Sequence, residues 1–227
     1  MTIASRLVAR GAITSASGGT SDGLASLDYP SFAASTLPTG LIAVPMSGAN
    51  TFASGTSITV SATGVMREPN SANVNAAYYS TGVFAEQMAS GLYSVTVGNA
   101  ALVNNSQGIG AGMSNADGSI QVFVIVCTNT TSARIYTWVA GVLTQVGTTS
   151  STVSSSASDK LALVPSLSGG IYTYTLYKNG APTACVFTDS SAVIGVPGRH
   201  PVAAFKRTYS SGQAASPGIK SLSAALI

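Results

Sequence analysis

Few side chains in this sequence are equipped for chemistry. The single histidine is His200, in "VPGRHPVAAF", between Arg199 and Pro201 at the entry to a predicted strand. A catalytic histidine needs a nucleophile and an orienting acid. No motif supplies either one, so His200 reads as structural. No GxSxG string stands between a strand and a helix. The acids number seven: Asp22, Asp28, Glu68, Glu86, Asp117, Asp159 and Asp189. Glycoside hydrolysis needs two carboxylates facing one cleft, and nothing in this spacing pairs them. Asp117, in "NADGS", reads as turn chemistry, because the spacing of a calcium loop is missing. Gly108, Gly110 and Gly112 alternate in "QGIGAGM". No Lys follows and no helix is expected, which argues against a phosphate loop. Small residues at alternate positions suit a strand that another backbone approaches closely. Cys127 and Cys185 each lie in an apolar, strand-like run. They read as two buried thiols. A single disulfide is the alternative, and sequence alone cannot show proximity. Neither cysteine has a CxxC partner or a nearby histidine, so a zinc knuckle is excluded. No catalytic residue, metal or cofactor is expected.

Aromatic residues are the remaining candidates for contact with a ligand. In "RIYTWVAG", Arg134, Tyr136 and Trp138 share one face of a strand, and Ile135, Thr137 and Val139 share the other. A face of Arg, Tyr and Trp could stack on a sugar ring. The alternative is that Trp138 fills the core while Arg134 snorkels at its rim. Tyr78 and Tyr79 form a second candidate. Adjacent strand residues point to opposite faces, so at most one of them is exposed.

The elements that must position these residues are almost wholly β. From about residue 41 the chain runs through short, evenly spaced apolar alternations, from "LIAVPM" to "GIKSLSAAL", separated by Gly, Asn, Ser and Pro. That pattern is the signature of a sandwich or jelly roll. "QVFVIVC" is apolar at every other position on both sets and is expected to be a central strand covered on both faces. In "YTYTLYKNGAP" the alternation breaks at Asn179-Gly180, which predicts a two-residue hairpin turn with positive φ. Residues 1–50 differ: Thr2 to Arg10 suits a short helix, "TSASGGTSDG" a connector, and "LDYPSFAASTLPTG" irregular extended chain. The expected organisation is an N-terminal arm, 1–50, and a β-sandwich body, 51–227.

Of the 227 residues only 7% are charged, against about 25% in an average soluble domain. Ser, Thr, Gly, Ala and Asn take their place. Such a neutral surface suits a chain that buries much of its exterior against other subunits. The net charge is +3. The closest basic groups, Arg6 with Arg10 and Lys206 with Arg207, form no continuous stripe, so nucleic acid is not an expected partner. "MTIASRLVARGAITSASGG" lacks the apolar core of a signal peptide, and no apolar run reaches the ~18 residues of a membrane span. Folding in the cytoplasm of the producing cell is expected, without membrane insertion.

"DKLALVPSLSGGIYTYTLYKNGAPTACVFTDSS", followed by "VPGRHPVAAF" and "PGIKSLSAAL", sets out a recurring strand order. It resembles the core of concanavalin A-like, laminin G-type jelly rolls, over about Phe84 to Leu226. The resemblance implies an all-β antiparallel sandwich. The Ser/Thr/Ala/Gly bias further resembles minor tail and related virion proteins of tailed bacteriophages, especially those of actinobacteria. That likeness implies a non-enzymatic structural protein of the tail tip or fibre, located in the virion. It would assemble with other virion proteins and with copies of itself, a trimer by analogy with phage fibres, and touch glycan on the host surface. A capsid decoration or head-fibre protein is the alternative, and a lectin or glycoside-active protein a third. The acid cluster with which lectin relatives hold metal has no match here, so no metal or sugar ligands carry over.

Overall fold

The computed structural model describes residues 23–46, 58–67, 77–100, 107–128, 130–208 and 218–227. Fifteen strands form among them: β1 (Ser26–Tyr29), β2 (Ile42–Pro45), β3 (Thr59–Val60), β4 (Met66–Arg67), β5 (Ala77–Val83), β6 (Tyr93–Asn99), β7 (Gly108–Ser114) and β8 (Ile120–Cys127), then β9 (Ala133–Val139), β10 (Val142–Ser150), β11 (Lys160–Ser168), β12 (Ile171–Lys178), β13 (Ala181–Thr188), β14 (His200–Thr208) and β15 (Ile219–Leu226). No helix appears among the described residues, and hence none long and apolar enough to cross a membrane.

The strands build two antiparallel sheets. One runs β13-β12-β11-β6-β15-β4-β3, with β1 also on β15; the other runs β10-β9-β8-β7-β14-β5-β2. The core lies between them. Val95, Val97, Leu161, Leu163, Tyr174 and Leu176 face it from the first sheet, and Ile109, Ala111, Met113, Val122, Val124, Ile135 and Phe205 from the second. Each such side chain contributes roughly 1.5–3 kcal/mol when removed from water, so a chain of this size needs no staple. No disulfide is made: Cys127 on β8 and Cys185 on β13 are both buried thiols. Burial pushes the Cys185 thiol up to about 11.

Eleven of the twelve expected strands match observed elements closely, and "TSITVSAT" holds the two-residue β3. β8 is buried along its length after Ile120, as its continuous apolar pattern requires. Asn179 and Gly180 have φ of 52° and 83°, so the β12–β13 connection is the tight turn expected. It is braced by its own side chain: Asn179 Oδ1 accepts from the Lys160 amide at 2.8 Å, and Nδ2 donates to Asp159 Oδ1 at 2.8 Å. Asp159 also meets Lys178 Nζ at 3.0 Å.

The expected arm, 1–50, is described only in part. Residues 1–22 and 47–50 lie outside the described residues, as does the expected helix at Thr2 to Arg10. The part between them is woven into both sheets, β1 on β15 and β2 on β5. Pro30 and Pro38 make the sequence read as irregular. Its two strands are only four residues each and take their order from the ladders they join rather than from their own pattern.

Candidate functional site

The outer face of the seven-stranded sheet carries a second apolar layer. On β9, Ala133 and Ile135 look into the core, so Arg134, Tyr136 and Trp138 look out. The register extends this face across the sheet. Tyr136 stands opposite Gln145 on β10 and Phe123 on β8, and Phe123 opposite Gly112 on β7. A second row runs from Cys127 through Gly108 and Lys206 to Tyr79 on β5. Phe123, Ile125, Tyr136, Ala204 and Met46 form a buried cluster on this outer side, with Tyr79, Trp138, Val44 and Leu143 packed around it.

The sheet is curved toward this face. β5 and β9 are separated by β14, β7 and β8. At about 4.8 Å per step they would stand ~19 Å apart in a flat sheet. Yet the Tyr79 and Tyr136 rings lie 5.0 Å apart, with their hydroxyls hydrogen-bonded at 3.0 Å. Tyr136 also stacks on Phe123 at 5.7 Å. The alternating glycines make room at the bottom of the curve. A Cβ on Gly112 would lie 2.5 Å from Phe123 Cβ, and one on Gly110 would collide with the Val124 carbonyl. The close backbone approach expected of that stripe is what the structure contains.

Electrostatics set the state of these groups. Burial, then the bond to Tyr136, push the Tyr79 phenol far above its ordinary value, while the Arg134 guanidinium pulls it the other way. Tyr79 therefore stays protonated. Lys206 reaches over Gly108 and donates from Nζ to Cys127 Sγ at 3.8 Å. Arg134 is exposed and donates from Nη1 to Gln145 Oε1 at 3.2 Å. The seven strands contain Arg134, Lys206 and Arg207 but not one Asp or Glu.

Arg134, Tyr136 and Trp138 thus share a face, and their accessibility differs. Tyr136 is only 5% exposed, so its ring is committed to Phe123 and Tyr79. Arg134 and half-buried Trp138 are the pair left at the surface. Tyr79 and Phe123 belong to the same cluster and were not singled out together from sequence. Their only signal was strand alternation, which does not say which strands meet across a curved sheet. His200 is held through Nδ1 to the Phe84 carbonyl at 2.9 Å, a structural role. Asp117 accepts from the Ser119 amide at 2.9 Å in a turn closed by Gly118 with φ of 75°. Asp189 is buried and caps the amides of Val193, Ile194 and Gly195. Among the described residues no three His, Cys, Asp or Glu side chains gather to hold a metal.

No family model matches this chain, and no curated protein does. Solved structures do. An endo-1,3-beta-glucanase from Streptomyces sioyaensis superposes with a TM-score of 0.53 at 9% identity, over 94% of this chain and all of that one (100%). Lectin II from Ulex europaeus gives 0.47 at 9% identity, over 88% and 97%. The CBM2 module of the evolved Dit of Lactobacillus casei BL23 phage J-1 gives 0.47 at 10% identity, over 83% and 90%. At these identities the likeness is one of fold. The chain has an all-β, two-sheet antiparallel sandwich of concanavalin A-like jelly-roll fold.

Proposed function

We propose that this chain is a non-catalytic virion protein of a tailed bacteriophage, a tail-tip or fibre module whose curved sheet contacts carbohydrate on the host surface. The observation that carries the reading is the composition of that sheet. Its outer face offers Trp138 and Arg134 at the surface of an aromatic cluster, and its seven strands hold no carboxylate. The two carboxylates that glycosidic hydrolysis uses are not among the side chains of these seven strands. Stacking on an indole needs no carboxylate. The 7% charge content supports association with copies of itself or with other virion proteins. A glycan array tests the carbohydrate contact. The full chain is expected to bind at least one saccharide without hydrolysing it, and Trp138→Ala to lose that binding while melting like the parent. Release of reducing sugar, or equal binding by Trp138→Ala, would count against the reading. Image reconstruction of the particle places the chain at the tail or on the capsid, and its absence from the particle would end the virion proposal.

A further inference from the structure

We infer that the curved face takes its carbohydrate through a negatively charged group (a phosphate, sulfate or carboxylate on the saccharide) held between Arg134 and Lys206. The inference rests on the carbohydrate contact proposed above and gives it a substrate class. Neither cation has a carboxylate partner among the described residues: Arg134 bonds a neutral amide, and Lys206 a thiol. A thiol is a weak acceptor and an ammonium carries three donors, so most of the hydrogen-bonding capacity of Lys206 is left for something else. Lys206 is half-buried and holds its ammonium on this outer face, where an anion can meet it.

The two cations also look at one region. Lys206 stands beside Tyr79 in the ladder and its Nζ lies on Cys127. Arg134 stands opposite Ile125 on β8, two residues from Cys127 along the same outer face. The planar fork of Arg134 suits an oxyanion bound through two donors, and Lys206 supplies a point charge beside it. Among the described residues no acid is seen to compete. Asp117 sits on the β7–β8 hairpin, at the end of β7 opposite Gly108, with its carboxylate turned to the Ser119 amide. Glu86 takes the Tyr29 hydroxyl.

The test titrates the full chain with four polymers: a phosphodiester-linked glycerol polymer, heparin for sulfate, hyaluronate for carboxylate, and neutral dextran. At least one anionic polymer is expected to bind about tenfold tighter than dextran, one charge-assisted contact being enough for that factor. Its affinity should fall as salt rises. Arg134→Gln and Lys206→Met should each weaken it about tenfold by the same reckoning, and Lys206→Arg should retain it. The arm that binds tightest identifies the anion. Dextran bound as tightly as every anionic polymer overturns the inference, as do Arg134→Gln and Lys206→Met with unchanged affinity. If those two variants are silent but Trp138→Ala abolishes binding, the charge inference fails and the carbohydrate contact stands. A chain that binds none of the four, nor any glycan on the array, defeats both.

Discussion

The Tyr79–Tyr136 contact is the sharpest test of the curved sheet, because it exists only if β5 and β9 bend toward one another across three intervening strands. Tyr136 is 5% exposed and its hydroxyl is bonded to Tyr79 at 3.0 Å. Tyr79→Phe leaves that hydroxyl buried without its partner, which costs about 1–3 kcal/mol. Tyr136→Phe removes the buried group itself and costs about 1 kcal/mol or less. The double substitution is expected to cost no more than Tyr79→Phe alone, because both changes remove one bond. Tyr136→Ala also deletes a ring stacked at 5.7 Å on Phe123 and is expected to cost about 3–5 kcal/mol. In a chain of this size that amounts to a fall of roughly 10 °C in Tm. Urea unfolding followed by the fluorescence of Trp138, the single tryptophan, gives all four free energies, and its emission reports the same face. Additive costs for the two Phe variants, with no coupling between them, would show that the hydroxyls do not meet and that the sheet is flatter than described.

Gly180→Val is expected to destabilise by more than about 1 kcal/mol, since a β-branched residue tolerates positive φ poorly; a melt equal to the parent's would remove the turn assignment. Burial pulls the Asp159 carboxyl up, but hydrogen bonds from Asn179, the Ser156 amide and Lys178 outweigh it and hold the group below its usual value. Its stabilisation is therefore present above the unfolded carboxylate range and is lost as pH falls through the lower folded value. Asp159→Asn should flatten that acid limb by less than about 1 kcal/mol, the pair being at a water-screened rim; an unchanged urea midpoint from pH 6 down to pH 3 in both proteins would refute it. Removing residues 1–46 takes away β1 and β2 and should lower Tm below that of a chain lacking only 1–22, by calorimetry; equal melts for the two truncations would mean that β1 and β2 add nothing to the sandwich.

Much of the fold was legible in the sequence because its signals are local. Period-two alternation marked β6 through β15, and the unbroken apolar run of β8 marked the strand covered on both sides. Asn179-Gly180 marked a turn that only residues tolerant of positive φ can make. β1, β4 and β5 gave no such signal. The first two are four and two residues long, and β5 follows an Asn-rich stretch, so their pairing partners, not their composition, decide their state. The same division runs through the site. Alternation put Arg134, Tyr136 and Trp138 on one face, because the side-chain period of a strand is fixed by its backbone. It could not tell that Tyr136 would be buried or that Tyr79 would reach it. Nor could it show that Lys206 and Cys127 would meet over Gly108. Those facts depend on strand order and on the curvature of the seven-stranded sheet, which bring together residues 57 and 79 positions apart, and no local pattern encodes a distance of that kind.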